Sequence, residues 1–194
     1  MQLKSSLLTF LRVLAKSGGR SAILSFAVLL SACTSLPEGI KPVRDFELQR
    51  SLGKWYEIAR HDHSFERGLE QVTAQYSLLD DGGVKVINRG YNPEEQEWDE
   101  AIGEAYFVGE QNIGHLKVSF FGPFYASYVI FSLDNDNYGY AMITGPNRDY
   151  FWILARQPEL EDDVLQSLLT KARDAGFDTE KLIFVNQWKQ WLSD

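Results

Sequence analysis

The chain has 194 residues, and its 27 Asp and Glu outnumber its 19 Lys and Arg to give a formal charge of −8. This acidic balance disfavours binding to nucleic acid and direct docking on anionic lipid. The length fits one domain with a sizeable hydrophobic core.

The N-terminal segment predicts an export signal with a lipid-attachment site. Four basic residues lie between positions 4 and 20, and an apolar core, Ala22 to Leu30, follows them. About 10 apolar residues are too few to span a bilayer, which takes about 20. Leu30-Ser31-Ala32-Cys33 closes the core in the pattern of a bacterial lipobox. Residues 1–32 are therefore predicted to be a cleaved signal peptide, and the alternative is an ordinary export signal with a chance cysteine.

Cys33, the single cysteine of the chain, is the predicted anchor. A lipobox cysteine carries an S-diacylglyceryl group and an N-palmitoyl chain, and several acyl chains hold a protein durably at a membrane. Once acylated, Cys33 offers no thiol for a disulfide, a metal site or nucleophilic catalysis. The residue after Cys33 is Thr34 rather than an aspartate, and in this the chain resembles lipoproteins that are sent to the outer membrane. We expect a lipid anchor in the outer membrane and a domain that faces the periplasm.

Residues 33–44 are predicted to be a lipidated tether, because they contain Pro37 and Pro42 and show no hydrophobic period. Loss of residues 1–32 removes four basic residues and no acidic one, so 15 basic residues face 27 acidic ones and the formal charge becomes −12. The remaining domain would be held by its hydrophobic core alone.

From Asp45 onward, short alternating runs separated by turn residues predict an antiparallel meander. Asp80-Asp81-Gly82-Gly83 is one such hairpin signal. Eight strands joined in this way favour an up-and-down barrel or a sandwich, and a closed eight-stranded barrel has room for side chains or one small ligand. The predicted strands are 54–60, 72–79, 84–91, 98–108, 116–121, 127–133, 138–144 and 150–155.

One amphipathic helix is predicted after the eighth strand. Apolar side chains from Leu160 to Ala172 recur at helical spacing, acidic residues load the first turn, and Gly176 is the expected stop. The apolar stripe should pack on the outside of the sheet, and residues 182–185 are a candidate ninth strand. The predicted fold class is therefore all-β with one flanking C-terminal helix.

Two motifs at the ends of this meander resemble those of lipocalins. Gly53-Lys54-Trp55-Tyr56 opens the first strand, and Trp152-Ile153-Leu154-Ala155-Arg156 closes the eighth. One element departs from the family, since its Thr-Asp-Tyr appears as Leu133-Asp134-Asn135, so partner contacts of that loop are not carried over. The resemblance implies a lipocalin barrel over residues 45–194. Residues 56–60, 65–69, 86–93 and 117–124 also resemble the bacterial outer-membrane lipocalins, which belong to the apolipoprotein D-like group.

Gly53, Trp55 and Arg156 are predicted to form the barrel base. The indole can plug the closed end, and the guanidinium can lie across it while donating hydrogen bonds to carbonyl oxygens of the preceding turn. Gly53 permits close approach of the backbone. We assign structural roles to these residues; direct contact with a ligand is the alternative.

Alternation along the strands predicts which side chains face the interior. If Trp55 points inward, so does Ala59, and if Arg156 does, so do Leu154 and Trp152. The lipocalin resemblance implies that Tyr76 and Asn88 also face inward. An aromatic interior with few polar groups suits a long apolar ligand with one polar end. The predicted ligand-binding residues are Ala59, Ala74, Tyr76, Val86, Asn88, Trp152 and Leu154, and further inward candidates are Glu57, Val72, Gly90, Phe107, Phe120, Tyr128 and Phe131.

No motif for catalysis is found. His61 and His63 have a spacing known from metal sites, but His115 is the only other histidine, so a solvated loop at the barrel mouth is favoured. No nucleophile elbow, phosphate loop or dinucleotide fingerprint occurs. We expect no enzymatic activity, no cofactor and no metal.

Two functions from different classes are open. The first is a membrane-anchored lipocalin that binds a fatty acid or lysophospholipid in its barrel, for lipid storage, transport or envelope maintenance. The second is a filled barrel without a ligand that acts as a protein-interaction module of the envelope. The aromatic loop with Phe121, Phe124 and Tyr125 is compatible with a rim near lipid, a homodimer contact or a packed corner.

Overall fold

The computed structural model describes residues 34–187, so the predicted signal peptide (residues 1–32) and Cys33 lie outside the described residues. Within residues 34–187, no helix is both long and apolar enough to cross a bilayer. Two helices, α1 (Leu48–Ser51) and α2 (Asp162–Asp174), flank the sheet. The strands are β1 (Gly53–Arg60), β2 (Glu70–Leu78), β3 (Val84–Asn92), β4 (Glu97–Phe107), β5 (His115–Phe121), β6 (Phe124–Leu133), β7 (Tyr140–Thr144), β8 (Phe151–Ala155) and β9 (Ile183–Phe184).

Strands β1 to β8 close into an antiparallel barrel. Each strand pairs with its neighbours in the chain, and β8 returns to pair with β1. Trp55 lies opposite Ala74 across β1 and β2, and Tyr56 lies opposite Ala155 across β1 and β8. The two-residue β9 pairs with Ala59 and Arg60 of β1, beyond the part of β1 that pairs with β2. The predicted eight-stranded up-and-down barrel with a C-terminal helix is therefore confirmed.

The strand directions give the barrel a closed base and an open mouth. Helix α1 lies at the base, where Arg50 donates hydrogen bonds to the carbonyl oxygens of Asn135 and Asp136 in the β6–β7 turn. Because strands alternate in direction, the β1–β2, β3–β4, β5–β6 and β7–β8 connections all lie at the opposite end. Those four connections form the mouth.

A bulge in β1 changes which of its last side chains face inward. Glu57 lies opposite Leu154, but it is Ala59 that lies opposite Ile153, so Ile58 is an extra residue. Ala59 consequently packs with Ile153 on the outside of the barrel. Our inward placement of Ala59 is wrong, because a bulge shifts the side-chain alternation by one position.

Helix α2 packs on the outer face of the barrel, as its apolar stripe predicts. Leu168 and Ala172 are buried in one cluster with Phe151 and Ile153 of β8. Asp162 and Asp163 lie in the first turn and basic residues in the last, which matches the helix dipole. Gly176 follows the helix with φ of +85°, a conformation that favours glycine.

Residues 34–44 lie against the barrel wall instead of forming a free tether. The Val43 N–H donates to the Ile130 carbonyl oxygen at 2.8 Å, and the Gly114 N–H donates to the Val43 carbonyl oxygen at 2.9 Å. Ile40 is buried with the α2 cluster.

Candidate ligand-binding site

Trp55 closes the base of the barrel, and the guanidinium of Arg156 lies over its ring. The Arg156 guanidinium lies 4.0 Å from the centre of the Trp55 ring, and the Trp55 Nε1–H donates to the Ser51 carbonyl oxygen at 2.8 Å. Arg156 also donates to the carbonyl oxygens of Lys54 and Arg50, at 2.9 and 2.7 Å. Gly53 has a φ of +90°, and a Cβ there would lie 3.5 Å from the guanidinium. This plug joins β1, β8 and α1.

A cavity of about 690 Å³ fills the barrel above this plug and opens at the mouth. Small-molecule sites in proteins typically occupy about 300–1,000 Å³. Most of the wall is apolar. Six of the predicted ligand-binding residues line the cavity, namely Ala74, Tyr76, Val86, Asn88, Trp152 and Leu154.

The further inward candidates divide between the cavity and the packed regions. Phe131 packs outside the barrel with Phe151 and Phe177, because the β6–β7 pairing shifts register between Ile130 and Ser132. Phe107 packs against Phe46 near the base, with ring centres 6.2 Å apart. The cavity is lined by Glu57, Val72, Gly90, Phe120 and Tyr128.

One side of the cavity carries a buried charged cluster. The Arg60 Nη1–H donates to the Glu57 carboxylate at 2.7 Å, and both side chains are almost fully buried. Arg60 Nη2 donates to the Glu66 carbonyl oxygen at 2.7 Å and to the Leu69 carbonyl oxygen at 3.3 Å, which ties the β1–β2 loop to the barrel. The Trp152 Nε1–H donates to the Glu66 carboxylate at 3.0 Å. Glu57 and Glu66 line the cavity, and Arg60 lies behind them.

Burial raises the pKa of both carboxyl groups in this cluster. Loss of water raises the pKa of Glu57 from 4.5 to about 8, with a further rise from the nearby charge of Glu66 and an opposing effect of Arg60. The pKa of Glu66 is also raised by burial, against the hydrogen bond from Trp152 and the charge of Arg60. The cluster therefore retains a proton near neutral pH that exposed carboxyls would release.

Two tyrosines place hydroxyl groups deeper in the cavity. The Tyr76 and Tyr128 hydroxyl oxygens are 3.0 Å apart and share a hydrogen bond. Burial raises the pKa of Tyr128 to about 12 and that of Tyr76 well above 10. Both are therefore neutral; one hydroxyl donates to the other, so the pair keeps one O–H free to donate to a polar atom of a ligand.

The histidines at the mouth are buried, so our expectation of a solvated loop is wrong. His63 stacks between Phe65 and Tyr150, with ring centres 5.2 and 4.8 Å away. The ring nitrogens of His61 lie 3.1 Å from the Arg148 carbonyl oxygen and 3.0 Å from that of Asp178. The His63 ring is therefore packed between aromatic rings, and both nitrogens of His61 contact backbone carbonyl oxygens. Across residues 34–187, the side chains form no group of three or more potential metal ligands.

Arg60 and Glu66 belong to the buried charged cluster at the cavity wall, and the sequence does not predict their burial. Strand alternation assigns Arg60 to the outer face, and only the bulge before it brings it beside Glu57. Glu66 lies in a loop, where side-chain direction follows no period. An Arg between two glutamates is a common surface pattern, so no local signal marks this cluster as buried.

The fold and the cavity together define the class of protein. A closed eight-stranded barrel with a plugged base, an open mouth and an apolar cavity is the architecture of β-barrels that enclose one small ligand. The family model of the lipocalin-like domain matches residues 46–187, and the chain belongs to the lipocalin family. Lipocalins are generally binding proteins rather than enzymes.

Individual relatives agree with this assignment. The chain is 56% identical over 161 residues to outer membrane lipoprotein Blc of Vibrio cholerae, a match that covers 83% of this chain and 94% of the relative. It is 32% identical over 154 residues to mouse apolipoprotein D, which covers 75% and 80% of the two chains. Insecticyanin from the tobacco hornworm shares the fold with a TM-score of 0.63, at 20% identity and coverage of 80% and 88%. The resemblance to bacterial outer-membrane lipocalins and the outer-membrane localisation are confirmed.

Proposed function

We propose that this lipocalin is anchored through acylated Cys33 and holds a fatty acid or lysophospholipid in its barrel, for lipid storage, transport or envelope maintenance. The observation that carries the proposal is the apolar cavity of about 690 Å³ above a closed base. Each buried CH₂ of an acyl chain contributes roughly 0.8 kcal/mol, so a long chain gains most from such a site. The cavity also argues against the filled-barrel alternative.

The placement of polar groups supports one ligand orientation. The deep wall around Trp55 and Val86 is apolar, apart from the paired hydroxyls of Tyr76 and Tyr128. Glu57 lies two residues beyond Trp55 along β1, and Glu66 lies in the β1–β2 connection, so both carboxyl groups are nearer the mouth. An acyl chain therefore points to the base, and its head group lies at the level of these carboxyl groups.

Lipid binding is tested by titration of residues 34–194 with fatty acids and lysophospholipids, followed by tryptophan fluorescence. We expect saturable quenching near one equivalent, because the Trp152 indole lines the cavity. Trp152→Phe should remove most of the quenching, and Ala74→Phe should weaken affinity about tenfold or more, or about 1.4 kcal/mol, by filling the cavity. Trp98→Phe is the matched control, since Trp98 lies on the exposed part of β4. Absence of binding by the folded domain, checked by calorimetry, would contradict the proposal.

The carboxyl cluster should make stability fall with rising pH. The folded state keeps a proton on Glu57 up to a pH of about 8, whereas the unfolded chain releases it near 4.5. Between these values the folded state binds more protons, so the free energy of unfolding decreases as the pH rises. Urea denaturation across this range measures the slope, and Glu57→Gln should flatten it. Glu95→Gln, in the exposed β3–β4 turn, is the control, and equal slopes for both variants would contradict the assignment.

A further inference from the structure

The β5–β6 hairpin ends in an exposed aromatic tip, which we define as Phe121 and Phe124. Phe121 is 82% exposed and Phe124 is 75% exposed, more than any other large apolar side chain in the described part of the chain. The two residues pair across the hairpin and also line the cavity mouth. A packed corner is one of the three interpretations that the sequence allows for this loop, and the exposure of both rings excludes it. Exposed apolar groups that continue into a binding site indicate an interaction surface.

Charge differs sharply between this hairpin and its neighbour at the mouth. No acidic residue lies between Glu110 and Asp134, although the predicted mature chain has a formal charge of −12. The β3–β4 hairpin, in contrast, carries Glu94, Glu95, Glu97, Asp99 and Glu100. One side of the mouth is therefore suited to an apolar, uncharged environment and the other to water.

The start of the described chain lies beside this same hairpin. The Ser127 Oγ–H of β6 donates to the Ser35 carbonyl oxygen at 2.7 Å. Phe124 is three residues before Ser127 on the same strand, or about 10 Å away. The described chain therefore begins on the β5–β6 side of the barrel, near the aromatic tip.

We propose that the aromatic tip inserts into the membrane leaflet that holds the anchor, so that the cavity mouth opens onto the acyl chains. The inference rests on the proposed acylation of Cys33. The occupant is a zwitterionic phospholipid surface, since an acidic domain is repelled by anionic lipid. Two phenyl rings bury apolar area in the leaflet, while the acidic β3–β4 hairpin stays in water. A lipid can then pass between leaflet and cavity without crossing the aqueous phase.

Spin labels on the mature, acylated protein in phosphatidylcholine vesicles test this orientation. Because Cys33 is the only cysteine and its thiol is acylated, Phe124→Cys supplies a unique site for a nitroxide. We expect this label to be relaxed about tenfold more effectively by oxygen, which partitions into the bilayer, than by a water-soluble nickel chelate. Trp98→Cys on the acidic hairpin is the matched control and should show the opposite preference.

The outcomes separate this inference from the anchoring on which it rests. Flotation of the protein with the vesicles, lost in Cys33→Ser, establishes the anchor first; loss of flotation in the unaltered protein overturns the anchoring and this inference with it. If the protein floats but the label at position 124 prefers the nickel chelate, the insertion is wrong while the anchor stands. Strong spin–spin coupling at position 124 without lipid would assign the tip to a second copy of the chain, which also overturns insertion.

Discussion

Arg60→Met is expected to lower the free energy of unfolding by about 3–5 kcal/mol, because it leaves buried carboxyl groups without their cation. Arg60 is 1% exposed and contacts the Glu57 carboxylate at 2.7 Å. The substitution also removes the donors that bind the carbonyl oxygens of Glu66 and Leu69, so the β1–β2 loop loses its tie to the barrel. Urea denaturation at pH 8 measures the loss, since more of the carboxyl groups are ionised there.

Arg67 provides the matched control for this prediction. It contacts the Asp62 carboxylate at 2.6 Å, but the two side chains are 65% and 46% exposed. Water already solvates both charges, so Arg67→Met should leave the free energy of unfolding nearly unchanged. Adding Glu57→Gln to Arg60→Met should recover part of the loss, because the amide is neutral without taking up a proton at pH 8. Equal losses for Arg60→Met and Arg67→Met would show that burial of the first pair does not control stability.

The sequence predicts the strands well because turns and alternation are local properties. All eight barrel strands are found, and their bounds differ by only a few residues. The start of β7 shows why such differences arise. Tyr138 belongs to the predicted strand, yet it has a φ of +53°, and its hydroxyl accepts a hydrogen bond from the Glu47 N–H at the base. This tertiary contact favours a turn, so the strand begins at Tyr140.

The cavity is predictable only where strands are regular. Tyr76 and Asn88 lie on β2 and β3, and both line the cavity as the lipocalin resemblance implies, together with Ala74 and Val86 that alternation adds. Ala59 does not, because one bulged residue precedes it, and bulges leave no clear mark in a single sequence. Glu66 depends on the path of a loop, and its burial follows from contacts with Arg60 and Trp152 that only the assembled barrel creates.

Trp55→Ala is expected to cost about 3–5 kcal/mol of unfolding free energy, because it empties a large volume at the barrel base. Trp55 is 3% exposed, and its ring packs in a cluster with Ile143 and Leu154. The change also removes the Nε1 hydrogen bond to Ser51 and the aromatic face beneath Arg156. Denaturant unfolding followed by circular dichroism measures the loss without relying on the deleted fluorophore.

Trp98 separates the effect of burial from that of the cation contact. The Arg89 guanidinium lies 4.2 Å from the centre of the Trp98 ring, nearly the distance of Arg156 from Trp55, but Trp98 is 44% exposed. If the plug stabilises the fold by filling the base, Trp98→Ala should cost about 1 kcal/mol or less despite the similar contact. Arg156→Lys should fall between the two tryptophan variants, since lysine keeps the charge but cannot reproduce both hydrogen bonds to Lys54 and Arg50. Similar losses for Trp55→Ala and Trp98→Ala would contradict a structural plug and would leave direct ligand contact as the role of Trp55.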